Sequence, residues 1–465
     1  MNFGRQRADQ QAKTWNFGCK LRQNFSPAAG VVVHPRRGTF RQASVRNNPA
    51  ARVGRTGNGS SEAKKQSRSR VMRTILALCL LPGLFCTALP ARVADMENAA
   101  RAYNGLGFQL LAQCRRSLPK TNYFLSPAGL AFALSMVQNG AQGETLRQIM
   151  ATLETGDIPL AQWNETSKAL LDHLLKLDPK IKLDIANALW IDQEASIKPD
   201  FISVNRRDYD AEVASGNFQD PATVKKINDW VSARTHEKIQ AVLEPPLDPR
   251  LRLILLDAIY FKGDWLAPFD TNLTRDLPFT LGNGQTVQHP RMSRQDHFGY
   301  CEETNFQAVE LPYAGGDVSM FVFLPKGGLD EFLKGFTEAD FEAAIPRMRT
   351  REGTVELPRF KLENDYDLTG VLPSMGMPLA FTTRADFRGI SENPLFIGFV
   401  KQKTYVAVNE QGTEAAAATS IGMRPSVVFR EPPPFHFVVD RPFFMAIRER
   451  QTGLILFLGS ISDPR

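Results

Sequence analysis

The chain has 465 residues and 43% apolar content, which is enough for one large folded domain or two ordinary ones. Its net charge of +7 is confined to one end. Of the 56 basic and 49 acidic residues, 15 and two lie in residues 1–70, which leaves 41 and 47 for the remainder. The body is therefore mildly acidic, so the overall basic charge gives no support for a nucleic-acid-binding protein.

Residues 1–71 are rich in Arg, Gln, Asn, Ser and Gly and lack apolar periodicity. Such a segment buries too little apolar surface to offset the entropy lost on ordering, so the sequence predicts a basic disordered tail. The simplest interpretation is untranslated or processed sequence upstream of a true start at Met72. A basic arm that contacts phosphate groups is the alternative.

Residues 72–91 have the order of a secretory signal peptide. A positive flank precedes an apolar run over 75–84, and small residues surround Ala88 and Ala91. The run is too short to span a bilayer, and no later run is long enough. We therefore expect a secreted protein, extracellular or periplasmic, without a membrane anchor.

Residues 92–465 read as one continuous globular domain without a low-complexity linker or an internal repeat. Only Cys114 and Cys301 of the five cysteines lie in it, and their separation in sequence gives no support for a structural disulfide. The apolar core must therefore hold this domain together, which its length permits.

Helical patterns dominate the first half of this domain and strand patterns the second. Apolar positions at three- and four-residue spacing predict helices over 98–117, 127–138 and 224–243. Continuous or alternating apolar patterns predict strands over 251–261, 318–324, 354–361, 399–409, 435–448 and 453–461. Helices first and strands later make the predicted fold class α+β.

The residue patterns of common catalytic sites are missing from the chain. Six histidines occur, and His236, which begins a zinc-protease pattern, is followed by Gln240 where the second ligand belongs. There is no Gly-x-Ser-x-Gly elbow, phosphate-binding loop or dinucleotide fingerprint. The sequence therefore predicts neither an enzyme nor a protein that carries a metal ion or another cofactor.

The most informative segment is 410–424, which follows a predicted strand and contains Gly412, a residue with a freely turning backbone. In an extended strand the odd-numbered residues from 413 to 423 would share a small or apolar face. Such a segment can slide between two existing strands without steric conflict. Its four consecutive alanines also favour a helix or a flexible linker, so the segment alone leaves both interpretations open.

Short motifs over 97–465 change that balance, because they resemble those of the serpin family and occur in the family's order. They include Asn122-Tyr-Phe-Leu-Ser-Pro127, Gly140-Ala-Gln-Gly-Glu-Thr145, Ile227-Asn-Asp-Trp-Val231, Asp257-Ala-Ile-Tyr-Phe-Lys-Gly-Asp-Trp265, Leu357-Pro-Arg-Phe360, Asp440-Arg-Pro-Phe443 and Leu456-Phe-Leu-Gly459. Each motif is weak by itself, but together and in order they are specific.

The resemblance implies a monomer with three β-sheets, about nine helices and an exposed reactive-centre loop. It also implies a function as a suicide-substrate inhibitor of a serine endopeptidase, or of a cysteine protease. The target protease attacks the loop, the acyl-enzyme forms, and the freed loop inserts as a new strand of the large sheet. Insertion of about 13 residues would carry the protease roughly 40 Å before hydrolysis is complete.

Residues 410–419 match the family's inhibitory hinge, in which the inward positions are small. The hinge positions are Glu410, Gly412, Thr413, Glu414, Ala415, Ala416, Ala417, Ala418 and Thr419. Counting sixteen residues on from Glu410 places the scissile bond between Ser426 and Val427, which suits an elastase- or subtilisin-like protease. Arg424 is the rival and suits a trypsin-like protease, but a proline would then follow the cleaved bond, which most serine proteases disfavour.

Three residues depart from the family's pattern in one region. Gly129 stands where a second Ser is usual, Asp257 where Asn is usual, and Gln402 where a buried His is usual. With Ser126 they would form a cluster under the point where the large sheet opens. Asp257 and Gln402 could still form a hydrogen-bonded pair there.

Glu410 and Arg359 match positions that form an ion pair at the top of the large sheet in the family. The alternative is that they are two independent surface charges.

Two other functions stay open. A non-inhibitory relative could act as a carrier or chaperone, although such proteins typically have bulky, charged or proline residues at inward hinge positions. The chain could also be a simple cleavable substrate, if the altered cluster near Gly129 prevents insertion.

Export of the chain from a secreting host should remove residues 1–88 or 1–91, because signal peptidases cleave after small residues that follow an apolar run. Intact mass and N-terminal sequencing of the exported protein check this expectation. Exported material that retains residues 1–71 would contradict it and would favour the phosphate-binding arm.

Overall fold

The computed structural model describes residues 88–413 and 432–465. Within these ranges the chain forms eight α-helices and four 3₁₀ helices. The α-helices are α1 Ala88–Ser117, α2 Pro127–Gln138, α3 Gly143–Thr152, α4 Leu160–Leu174, α5 Pro199–Tyr209, α6 Pro221–Arg234, α7 Leu329–Gly335 and α8 Glu338–Ala344. The 3₁₀ helices are Thr271–Leu273, Ile345–Arg347, Leu372–Met375 and Pro378–Phe381.

The strands of the same ranges form two sheets. They are β1 Tyr123–Leu125, β2 Ile181–Asp192, β3 Glu212–Gly216, β4 Leu253–Asp264, β5 Arg275–Thr280, β6 Thr286–Glu302, β7 Phe306–Pro312, β8 Val318–Pro325, β9 Arg349–Pro358, β10 Phe360–Asp367, β11 Ile397–Val408, β12 Gly412–Thr413, β13 Phe435–Val438, β14 Phe443–Glu449 and β15 Ile455–Ile461. One sheet has the order β1-β15-β14-β8-β7-β6-β9-β13, with β5 paired to β6, and the other has the order β10-β11-β12-β4-β2-β3.

The six-stranded sheet lies between two apolar clusters, and β4 shows why its sequence is a continuous apolar run. Leu255 and Ile259 face the large cluster that contains α1 and α2. Leu256 and Tyr260 alternate with them and face a smaller cluster that includes one side of α6. Because both faces of β4 are covered, nearly every position is apolar, as the predicted strand over 251–261 required.

Helix α2 runs through the large core, and all twelve of its residues are buried. Pro127 opens it at a position where its missing N–H costs nothing, and the Ser126 side chain caps it by accepting from Gly129 N. The N-terminus of α2 therefore lies directly against the six-stranded sheet.

The predicted helix over 224–243 is wrong beyond Arg234. The Thr235 hydroxyl donates to the Val231 carbonyl at 2.8 Å, and His236 and Glu237 have φ of +49° and +61°. A left-handed backbone at two successive residues cannot continue a right-handed helix.

Two predicted strands are each two strands in the structure. The strand predicted over 354–361 divides at Arg359, so that β9 belongs to the nine-stranded sheet and β10 to the six-stranded one. The strand predicted over 435–448 divides into β13 and β14, which pair with different neighbours. Both breaks have a local signal in the sequence: the apolar positions change phase from 355 and 357 to 360 and 362, and Asp440-Arg-Pro442 interrupts the second run. Conversely, the helix predicted over 98–117 begins earlier, at Ala88.

The α+β class is as predicted, while the count of sheets and helices differs in detail from what the resemblance implied. The 17-residue strand β6 pairs with β5 at one end and with β7 at the other, which joins two groups of strands into one ladder. Over the described ranges we therefore find two sheets and eight α-helices. Cys114 and Cys301 are buried free thiols. No helix there is both long and apolar enough to cross a membrane.

Candidate functional site

The six-stranded sheet is partly open at one end, between β4 and β11. These strands run parallel and pair directly over eight residues each, up to Tyr260 and Tyr405. Beyond that level they part, and β12 lies between them, antiparallel to both. Thr413 pairs with Val408 of β11 and with Gly263 of β4. The last two described residues before 414 are therefore already a strand inside the sheet.

A tight turn at Asn409 sends the chain back into this opening. The Asn409 carboxamide oxygen accepts from the backbone N–H of Gln411 and of Gly412, at 3.0 and 3.3 Å. A Cβ at position 412 would lie 2.1 Å from the Gly263 carbonyl oxygen. Glycine is required here because two backbones approach each other closely, and not only because it turns freely.

Aromatic side chains line the entrance. Trp265 stacks on Tyr313 with ring centroids 4.6 Å apart, and its indole N–H donates to the Asn409 carbonyl at 2.9 Å. The Tyr313 hydroxyl lies 2.8 Å from the Thr413 hydroxyl, and the Thr413 side chain is fully buried. A larger or charged side chain at position 413 could enter only by displacing the aromatic pair.

Glu410 and Arg359 form an ion pair at the same entrance, and the Glu410 side chain is only 5% exposed. Its Oε1 accepts from Arg359 Nε at 2.7 Å and from the Thr274 hydroxyl at 2.5 Å. Burial alone would raise the pKa of Glu410, but the hydrogen bonds from Arg359 and Thr274 and the guanidinium charge outweigh it and hold the pKa below its usual value. The turn is thereby fixed to β10 and to the chain before β5.

Asp257 and Gln402 lie opposite each other on β4 and β11, deeper in the sheet. The Gln402 amide donates to Asp257 Oδ2 at 2.5 Å and to the Ser126 carbonyl at 2.9 Å, and its oxygen accepts from Ser126 N at 3.1 Å. The Ser126 hydroxyl donates to the Leu456 carbonyl and accepts from Gly129 N. The four predicted residues are therefore brought together in one network that joins β4, β11 and the start of α2.

The Asp257 carboxyl occupies the space of a missing side chain. A Cβ at position 129 would lie 2.3 Å from Asp257 Oδ1. That oxygen has no hydrogen-bond partner, and neither has the carboxamide oxygen of Asn187, the residue paired with Asp257 across β2 and β4. Burial raises the pKa of Asp257 to about 7, although the bond from Gln402 opposes the shift.

The chain that follows residues 414–431 is anchored by a second cluster, at the start of β13. Phe435 stacks on Tyr300 with ring centroids 3.9 Å apart. The Arg351 guanidinium lies against both rings and donates to the Pro433 carbonyl at 3.2 Å. A Cβ on Gly353 would lie 2.4 Å from the Phe435 ring. Chain ends on both sides of 414–431 are thus held by packed, charged clusters.

Several predicted residues lie outside the described ranges. They are the hinge positions Glu414, Ala415, Ala416, Ala417, Ala418 and Thr419, the bond between Ser426 and Val427, and the rival Arg424.

Sequence reasoning missed Thr274, Asn187 and Arg351. Asn187 had a usable signal, because it lies within the apolar stretch 185–191 of β2, where a buried amide needs a polar partner. No group of His, Cys, Asp and Glu among the described residues could hold a metal ion.

Comparison with known proteins gives three kinds of similarity. The family model described as Serpin (serine protease inhibitor) matches residues 101–464. Iripin-8 of Ixodes ricinus is 37% identical over 385 residues, or 79% of this chain and 94% of that protein. The leukocyte elastase inhibitor of Sus scrofa is 34% identical over 384 residues, or 79% and 100%. The solved structure of Tengpin, a thermophilic serpin in its native state, aligns with a TM-score of 0.71 at 28% identity, over 78% of this chain and 94% of that one.

Arg359→Met should destabilise the protein by about 1–3 kcal/mol, because it leaves the buried Glu410 carboxylate with one side-chain donor. Since the folded pKa of Glu410 is below its unfolded value of 4.5, the pair stabilises above that pH, and its contribution is lost as pH falls through the folded pKa. Denaturant unfolding from pH 3.5 to 7.5 measures both effects. Arg347→Met, which breaks a more exposed pair with Glu303, should cost less than about 1 kcal/mol; equal costs for the two variants would refute the assignment.

Gly129→Ala should destabilise the protein by about 1–3 kcal/mol, although helix propensity alone predicts a gain of up to about 1 kcal/mol. The new methyl group would overlap the Asp257 carboxyl. Adding Asp257→Ala should relieve that overlap, so a double-mutant cycle should show coupling of about 1 kcal/mol or more. Gly335→Ala in α7 meets no atom within 4 Å and serves as the matched control. Additive costs in the cycle would contradict the prediction.

Proposed function

We propose that this chain, which belongs to the serpin family, is a suicide-substrate inhibitor of a serine endopeptidase. The family and fold predicted from the ordered motifs are confirmed. Members of the serpin family are mostly protease inhibitors rather than enzymes. The finer proposal is that the reactive loop, once cleaved between Ser426 and Val427, enters the six-stranded sheet through its residues 414–426 and traps the acyl-enzyme.

The position of β12 between β4 and β11 is the observation that carries this proposal. Thr413 is opposite Gly263 of β4 and Val408 of β11. If an inserting strand keeps this antiparallel register, each following loop residue pairs with the preceding residue of β4 and of β11. Continued register would set Ala415 between Phe261 and Val406, Ala417 between Ile259 and Thr404, and Thr419 between Asp257 and Gln402. All these loop residues are small and would enter the face toward the large core, where bulky side chains would clash.

Hydrogen bonding supplies a reason for insertion to be downhill. In the closed region β4 and β11 form one parallel ladder. An inserted strand would replace it by two antiparallel ladders, as β12 already does over two residues. Antiparallel pairs are somewhat more stable per residue, and each inserted residue gains partners on both sides. The intact form would then be held by a kinetic barrier rather than by being the most stable arrangement.

The anchors on both sides of residues 414–431 explain what cleavage would release. Thr413 is held inside the sheet, and Phe435 is held by Tyr300 and Arg351. Insertion of an intact loop would pull against the anchor at Phe435. Cleavage would separate the segment that follows Thr413 from that anchor, so this segment could enter the sheet while Phe435 stays in place. A protease acylated at the freed end would be carried along the sheet.

An elastase- or subtilisin-like protease remains our proposed target, with cleavage between Ser426 and Val427. A relative named leukocyte elastase inhibitor is consistent with that choice. Arg424 and a trypsin-like protease remain the rival. We also propose that the protein is secreted, on the strength of residues 72–91, and monomeric, as the resemblance to the family implies.

Incubation with elastase, subtilisin, chymotrypsin and trypsin, followed by denaturing gels and thermal melts, tests the function. We expect a covalent complex with at least one protease and a large rise in the melting temperature of the cleaved protein. Clean cleavage with an unchanged melt would instead mark a simple substrate. A rise in melting temperature without any covalent complex would favour a carrier, such as the solved relative thyroxine-binding globulin.

Thr413→Arg should convert the inhibitor into a substrate, because a charged side chain cannot be buried against Tyr313 at no cost. We expect the stoichiometry of inhibition to rise by about tenfold or more, with the cleaved form replacing the complex on gels. Thr413→Ser keeps the hydroxyl and should retain inhibition within about twofold. Full inhibition by Thr413→Arg would contradict the requirement for a small side chain at this buried position.

A further inference from the structure

We infer that Asp257 is a proton-controlled latch of the six-stranded sheet: its neutral carboxyl favours pairing of β4 with β11, and its ionised form favours their separation. The inference rests on the proposed function only in that loop insertion requires these strands to part. It concerns how readily the sheet opens, which can be measured without a target protease.

The location of the carboxyl makes it a latch. Asp257 and Gln402 are paired residues of β4 and β11, and the bond from the Gln402 amide to Asp257 Oδ2 crosses the line along which a new strand would enter. This level is six residues below the pairing of Gly263 with Thr413, or roughly 20 Å along the sheet. An inserting strand therefore has to break this bond about halfway along its path.

Every group that faces this carboxyl is uncharged. Gln402 faces it from β11, Asn187 from β2, and Ser126 and Gly129 from the start of α2. Burial and the Gln402 bond are the two influences on its pKa. An ionised Asp257 therefore has no compensating cation, and a buried unpaired charge is costly.

The neighbouring lysines of β11 lie on the opposite face of the sheet. Lys401 pairs with Asp365 at 2.5 Å, and Lys403 lies 3.7 Å from Glu363. Because successive strand residues alternate in direction, these charges cannot reach the buried carboxyl.

The hydrogen-bond inventory distinguishes the two protonation states. The ionised Asp257 carboxylate has two acceptor oxygens but receives a side-chain hydrogen bond at only one of them, from Gln402 to Oδ2, because Oδ1 has no partner. Protonation turns Oδ1 into a hydrogen-bond donor. The carboxamide oxygen of Asn187, the cross-strand neighbour of Asp257, is an acceptor without a partner and could take this bond. Once β4 and β11 part, the carboxyl is no longer enclosed between them, so its ionised form can be solvated. Ionisation is thus disfavoured in the closed sheet and tolerated in the open one.

The sign of the pH dependence follows from linkage. The closed-sheet pKa, about 7, lies above the ordinary value of 3.8, so the closed sheet binds the proton more tightly than an opened or unfolded chain. The proton's stabilisation of the closed form is complete below pH 3.8 and is lost as pH rises to about 7. Above that pH the effect levels off, because both forms are ionised.

Thermal unfolding and peptide incorporation between pH 5 and pH 8 test the latch. The peptide is a labelled copy of residues 414–425, and the variants are Asp257→Asn and the control Asp367→Asn, which removes an exposed carboxylate on β10. In wild type and control, we expect incorporation at pH 8 to be at least fivefold faster than at pH 5, within a limit of about tenfold per pH unit for one group. Asp257→Asn should change less than about twofold. Equal pH profiles for all three proteins would overturn the inference.

Two further readouts separate this inference from the proposed function. If no peptide incorporates at any pH, the proposed insertion step is wrong, but the latch can still be tested by thermal unfolding. The latch predicts that raising the pH from 5 to 8 lowers the unfolding midpoint more in wild type than in Asp257→Asn. If Asp257→Asn does not fold, infrared titration of wild type decides it. A carboxylic acid C=O band that persists at pH 6 and disappears with a midpoint near pH 7 supports the latch, and loss of all such bands below pH 5 contradicts it.

Discussion

The direct parallel pairing of β4 with β11 is the constraint on which the rest of the structure depends. Two strands that could each accept an antiparallel neighbour are instead paired with each other up to Tyr260 and Tyr405, and β12 separates them beyond that level. The sheet is therefore closed over most of the length of these two strands and divided by β12 at one end. The aromatic entrance, the Glu410 ion pair and the Asp257 network are arranged along this one line.

Different interactions hold the chain at different points along the boundary between β4 and β11. At the entrance, Trp265 and Tyr313 pack against a chain reversal that only glycine at position 412 allows. Beside it, Arg359 holds the buried Glu410 carboxylate. Apolar packing depends little on pH, whereas the carboxylate pair weakens in acid. The two contacts at the entrance therefore differ in their dependence on pH.

The deeper cluster shows how substitutions at neighbouring positions compensate. An acid at position 257 fits only because position 129 has no side chain, and Gln402 supplies both donors that the closed arrangement uses. The resemblance alone presents these as three separate departures from a pattern. In space they are one rebuilt network, in which a carboxyl replaces an amide and a glycine provides the room. One consequence is an ionisable group in a place where the usual amide cannot titrate.

The sequence by itself determined the fold class and the family, because those follow from the order of motifs. The hinge positions stay a prediction from small residues at alternating positions. The sequence also identified both pairs of residues that the structure places in contact, Glu410 with Arg359 and Asp257 with Gln402, although only through the resemblance.

Tertiary structure decided what local patterns could not carry. The apolar pattern shifts phase by one residue at Arg359, but only the two sheets that receive β9 and β10 show that the strand divides there. The end of α6 depends on left-handed backbone at His236 and Glu237, which periodicity does not register. The overlap of position 129 with Asp257, and the orphaned oxygen of that carboxyl, arise between segments more than a hundred residues apart. Distances of this kind are set by packing, so no pattern within one segment encodes them.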